Sequence, residues 1–203
     1  MRELDRALVD IAVMRDQIAR NSEFQGFGPT TLAITGTLAF AVAAAQSMLL
    51  REPLKQASVF VALWFCTAGV CILLIGGEAL RRSKRVHGSM ALSMLKVAAE
   101  HFCPAIVAGG LLTVVLLQTA PNECWMLPGL WQLVFCLGAF ATARILPRPM
   151  IVVGIWYLVS GLTCLKVGPY YPLSGWSMGI PFGVGQLLVS WILVLRRQLV
   201  PEP

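Results

Sequence analysis

Long charge-free apolar stretches, separated by short clusters of Arg, Lys, Pro and Gly, set the pattern of hydrophobic and polar positions along the chain. A bilayer core about 30 Å thick is crossed by roughly 20 mostly apolar residues in helical form. Six stretches come near that length: 30–50, 57–80, 102–119, 127–146, 150–165 and 178–195. Lipid offers no partner to an unpaired backbone amide, and no alternating pattern argues for a barrel, so the spanning elements are predicted to be helices. The expected fold class is all-α, a polytopic membrane protein with six transmembrane helices at 29–197 and a short cytoplasmic tail at 198–203.

The first 28 residues follow a different pattern. Leu4, Leu8, Ile11 and Ile18, with Met14 or Arg15 between, recur at three- and four-residue spacing and place an apolar stripe on one side of a helix. Arg6 with Asp10, and Asp16 with Arg20, stand four apart and can pair across a turn. Glu3, Asp5 and Asp10 interrupt the region where a signal peptide needs a cationic start and an apolar run. Four basic against five acidic residues through Glu23 is a poor match to a surface helix held by anionic lipid. The stripe at Leu4, Leu8 and Ile11 therefore reads either as a cytoplasmic amphipathic helix folded back on its own bundle or as a docking face for a partner or second copy. Phe24 to Pro29 supplies a glycine hinge and a helix start.

Composition agrees with a membrane location: 57% of the 203 residues are hydrophobic and 13% charged, with a mean hydropathy of +0.74. These values exclude a disordered chain and a nucleic-acid module. The net charge of +6 acts as a topology signal, since thirteen Lys and Arg residues fall on the face shared by the termini and three (Arg51, Lys55, Lys166) on the other. That asymmetry is expected to place both termini in the cytoplasm, and compactness without a cleavable targeting segment leads to the expectation of a bacterial-type inner membrane. Trp125, Trp131, Tyr170, Tyr171 and Trp176 cluster near the opposite interface, as anchoring rings do.

Candidate chemistry is sparse. The stretch from Gly168 to Gln186 is the most distinctive: Gly175, Gly179 and Gly183 share a helix face suited to close packing. Pro181 breaks the amide ladder there, and Gly185 and Gln186 follow with flexibility and a polar amide at membrane depth. Pro181, Gly185 and Gln186, completed by Gln132 or Gln46, form a candidate site for a neutral or apolar solute, as broken helices do in transporters; a kinked tight crossing accounts for the same residues. At the cytoplasmic edge, Glu78, Glu100 and His101 form a candidate proton site, and the basic run with Arg81, Arg82 and Arg85 a candidate lipid-headgroup site. Lys96 and Glu100 stand one turn apart on an expected interfacial helix before span three.

No mid-span Asp, Glu, Lys, Arg or His marks ion coupling. Six cysteines without a Cys-x-x-Cys pair, and two histidines, lead to the expectation of no cofactor and no metal; Cys124 and Cys164 alone are placed where an oxidising face would permit a bridge. Hydrolase, metalloprotease and nucleotide templates are missing, so no catalytic residue is predicted. Trp64 with Gly69 and Trp156 with Gly161 hint at a three-plus-three duplication. The function expected is a non-enzymatic accessory, assembly or regulatory membrane subunit working by helix contact, with lipid and a membrane-protein partner or second copy as its neighbours and no nucleic acid. Two alternatives stay open, a small carrier or channel and, more weakly, a lipid-interface enzyme.

Overall fold

The computed structural model describes residues 28–50, 52–86, 88–142 and 151–199, with side chains at all of these except 82–86, 88–95, 97–99, 101, 196, 197 and 199. The elements in order are α1 (Pro29–Leu49), α2 (Ala57–Val86), α3 (Gly88–Thr119), a 3-10 segment (Pro121–Met126), α4 (Leu127–Thr142), α5 (Ile151–Val167) and α6 (Trp176–Leu199), and no strand occurs among the described residues. Five are long and apolar enough to cross a membrane, namely α1, α2, α3, α4 with its 3-10 lead-in, and α6; α5 is shorter. The protein is an all-helical membrane protein. The predicted amphipathic helix carrying Leu4, Leu8 and Ile11 lies outside the described residues, as do 143–150 and the tail beyond 199.

Local sequence explains the boundaries. Gly28 stands extended before α1 and Pro29 opens it, a position where the missing amide costs nothing. Two boundaries differ from expectation. Helix α2 does not stop at Leu80 but carries the basic run as helix to Val86; its 30 residues reach about 45 Å, beyond a hydrocarbon core of about 30 Å. The expected interfacial helix before span three is continuous with that span in α3, which passes through Pro104 without ending.

Between lipid-embedded helices there is no hydrophobic gain to drive association, so close packing and small residues decide which helices pair. Helices α1 and α6, first and last among those described, run antiparallel in intimate contact. A Cβ at Gly175 would lie 2.7 Å from the Ala43 carbonyl oxygen, one at Gly179 would meet the Ala43 methyl, and one at Gly183 would lie 2.5 Å from the Phe40 ring. From the other side, a Cβ at Gly36 would stand 3.0 Å from the Gly183 carbonyl. Ser190 Oγ donates to the Pro29 carbonyl at 2.7 Å and ties the far end of the pair. Helices α4 and α5 repeat the device, with the Gly129 and Gly161 backbones facing each other and Gly154 under the Phe140 ring.

Two aromatic layers fill the rest. Phe135 stands 4.9 Å from Phe102, 4.5 Å from Tyr157 and 5.4 Å from Phe182 between ring centroids, joining α3, α5 and α6 to α4. Nearer the α1–α2 loop, Phe60 stacks on Trp131 at 6.2 Å and leans on Trp64 at 6.4 Å.

Gly179→Leu is expected to lower stability in mild detergent by about 2 kcal/mol through overpacking against α1. Gly76→Leu, at a position where a Cβ meets nothing within 4 Å, is expected to change it by less than about 0.5 kcal/mol. Thermal unfolding of both purified variants checks the contrast.

Candidate functional site

Pro181 sits inside α6 and has no amide hydrogen to give the carbonyl four residues earlier. That carbonyl belongs to Ser177, and the bundle supplies it from elsewhere: Gln132 Nε2 of α4 donates to it at 2.8 Å, and the Cys164 thiol of α5 reaches it at 3.5 Å. Gln132 Nε2 also lies 3.4 Å from Cys164 Sγ. The Pro181 carbonyl in turn accepts the Trp156 indole N–H at 2.9 Å. Gln132 is wholly buried. With its Nε2 fixed by two acceptors, its Oε1 points away and meets no hydrogen-bond donor among the described residues.

The predicted solute-site residues are thus divided. Pro181 and Gln132 converge on the Ser177 carbonyl. Gly185 instead lies under the Tyr157 hydroxyl of α5, and Gln186 stands beside Gly36 of α1. Gln46 belongs to a second cluster at the loop end. Buried at 1% exposure, it donates from Nε2 to the Leu173 carbonyl at 2.9 Å and accepts the Trp64 indole N–H on Oε1 at 2.7 Å. Leu173 holds a positive φ of 52°, strained for a residue with a side chain, and is kept there by the Gln46 bond and by the burial of its own side chain.

Above that clamp the α1–α2 and α5–α6 loops enclose a cleft of about 620 Å³, bordered by Ser47, Glu52, Lys55, Tyr170, Tyr171 and Ser174. Glu52 and Lys55 pair across its rim at 2.6 Å, both well exposed, where such a pair contributes little. Tyr170 is 80% exposed, as an interfacial ring would be. Trp131, expected among those anchors, is instead a packing residue: it stacks on Phe60 and its indole N–H bonds Thr113 Oγ1 at 2.8 Å. Cys124 and Cys164 are free thiols.

At the other end, the Glu78 carboxylate lies against Gly28 at the amino end of α1, where a helix favours negative charge. Glu100 faces Lys96 at 3.8 Å, exposed, as the four-residue spacing predicts. Glu78 and Glu100 are therefore engaged with different neighbours; the side chains of His101, Arg82 and Arg85 lie outside those described. Arg81 is exposed and closes a groove between α1 and α2. The predicted contact face, Gly175, Gly179 and Gly183, is covered by α1, so within this chain it offers no surface to a partner.

Leu173 and Ser177 carry no site role in the sequence reading, and Trp64 enters it only through the duplication, not as the partner of Gln46. Ser177 had a usable signal, its position four before Pro181; Leu173 had none, since Leu is not a residue type that favours positive φ. The proposed duplication gains only half a match: Trp64 and Trp156 each donate their indole N–H to another helix, whereas Gly161 is packed on Gly129 and Gly69 meets nothing.

No protein-family model, no curated protein and no solved structure matches this chain.

Replacing Gln46 by Leu strands the Trp64 N–H and the Leu173 carbonyl and is expected to cost about 2 kcal/mol. Combined with Trp64→Phe the loss falls short of the sum of the two single losses, because both remove one network. Unfolding midpoints of the two singles and the double measure this.

Proposed function

We propose that the protein is a non-enzymatic accessory, assembly or regulatory subunit of a bacterial-type inner membrane that works by helix contact, through the face of α2 and α3 rather than through α6. The observation that carries this is the uneven use of glycine. Helical glycines on α1, α4, α5 and α6 are pressed against a neighbouring helix, whereas Gly69, Gly76 and Gly77 of α2 and Gly110 of α3 meet nothing within 4 Å. A bare glycine gives lipid no side chain to pack on, yet it is the residue that lets a second helix approach closely. Burial runs the same way: 11% of the α3 span and 22% of the α2 span are buried, against 33% for α1 and α6 and 39% for α4 with its lead-in.

In this reading α5 also crosses the bilayer, which makes six spans and leaves both termini in the cytoplasm. Its support is that α5 lies antiparallel along α4 from Gly154 against Phe140 to Gly161 against Gly129, with Gly168 against Trp125 beyond its end. The thirteen-to-three distribution of basic residues supports the orientation. The amino-terminal stripe at Leu4, Leu8 and Ile11 is a second contact element on the cytoplasmic side.

A second reading, a carrier of a small neutral solute, is favoured by one observation: the buried Gln132 Oε1 that meets no donor among the described residues, beside a carbonyl released by Pro181. A solute N–H or O–H would satisfy it.

Two experiments separate the readings. The purified protein is expected to self-associate in vesicles, seen as energy transfer between labelled copies, and Gly69→Leu combined with Gly76→Leu abolishes the signal while the unfolding temperature stays put. A lone monomer before and after substitution overturns the contact reading. If instead the wild type carries solute into liposomes and Gln132→Leu lowers flux without unfolding the chain, the carrier reading replaces it.

A further inference from the structure

Helices α1 and α2 are joined at both ends and parted between. Near the loops the Trp64 to Gln46 bond holds them at 2.7 Å, and at the terminal end the Glu78 carboxylate meets Gly28. Between these ties Gly77 places no side chain in the gap, and a Cβ there would meet nothing within 4 Å. The result is a groove of about 380 Å³ walled by Thr31, Ile34, Leu73, Leu74, Gly77 and Glu78, with Arg81 at its end. Ile34 is 53% and Leu73 76% exposed, so the groove opens sideways, toward the surrounding hydrocarbon.

Charge follows depth along the same helix. One turn past Gly77 stands Arg81, exposed and in no ion pair among the described residues, and the helix continues with Arg82, Lys84 and Arg85 in its sequence. An apolar slot that ends at a cationic helix turn has the layout of a single phospholipid, chain below and phosphate above. Arg is the side chain best matched to phosphate oxygens, which it can bind through two parallel N–H bonds. Glu78 lines the groove beside Arg81, and its carboxylate lies against Gly28 at the amino end of α1, where the helix dipole takes up part of its charge.

We propose that this groove is a binding site for one anionic phospholipid of the leaflet at the terminal end, with an acyl chain along Ile34, Leu73 and Leu74 and its phosphate on Arg81. The site adjoins the bare face and shares Gly77 with it, but it rests on the groove and Arg81 and does not depend on the partner reading.

Native mass spectrometry of the full chain in mild detergent tests it, with phosphatidylglycerol, phosphatidylethanolamine and phosphatidylcholine of identical chains, and glycerol phosphate, added in separate arms. The expected result is one retained phosphatidylglycerol, removed by Gly77→Leu, which fills the slot. Arg81→Gln weakens it about fivefold, the loss of one surface cation, and weakens phosphatidylcholine, whose choline already offsets the phosphate charge, by less. Arg81 lies at the exposed end of the groove, so its replacement reads the site even if Gly77→Leu perturbs folding. Equal retention of phosphatidylglycerol and phosphatidylcholine, or preference for phosphatidylethanolamine, overturns the proposal. So does displacement of the lipid by equimolar glycerol phosphate, because the slot would then add nothing to the headgroup.

Discussion

Hydrocarbon returns nothing to a polar atom, and this bundle is arranged around that fact. Hydroxyls in the spans mostly bond back to their own helix: Thr67 to Leu63, Thr113 to Gly109, Thr142 to Gly138 and Thr163 to Val159. What local backbone cannot absorb becomes the cross-link between helices. Gln46 satisfies an indole and a strained loop carbonyl, and Gln132 satisfies the carbonyl that Pro181 releases. Each polar contact thus fixes a geometry that apolar packing in lipid would leave loose.

Close backbone approach is the companion constraint. A polar bond of 2.7 to 2.9 Å between helices requires the helices themselves to come near, and glycine permits it. Gly175 and Gly179 bring α6 onto Ala43 beside the Gln46 clamp, and Gly161 brings α5 onto α4 beside Gln132. The positions of the glycines and of the glutamines are therefore one arrangement, since moving a helix out by a side chain's width would break the bonds.

Much of this was legible in the chain and some was not, for reasons that differ by residue. Spans are read from length and polarity, which act on every residue of a segment at once, so the helices lie where the apolar stretches do. Their ends are less secure: Arg81 to Val86 carry charges that suggest a loop, but these residue types favour helix and their long stems let the charged groups reach water. Pairing of the glycine face with α1 was beyond reach, because the face states that something packs there without stating what. Gln132 and Pro181 were both visible as oddities, and only the geometry shows that one answers the other. The role of Leu173 has no mark in sequence, since its backbone angle is imposed by Gln46 and Trp64, which lie more than a hundred positions earlier.

The pairing of α1 with α6 also bears on how the molecule is made. Its polar ties join residues 161 and 127 positions apart, so the first described helix must enter the bilayer well before its principal neighbour exists. During that interval Gln46 has only the Trp64 indole, delivered by the next helix to emerge, while the Leu173 carbonyl arrives last. Biogenesis then includes a closure step, in which α6 docks against the much earlier α1, and a nascent chain stopped before Leu173 would retain a half-satisfied amide for quality-control proteases and chaperones to recognise.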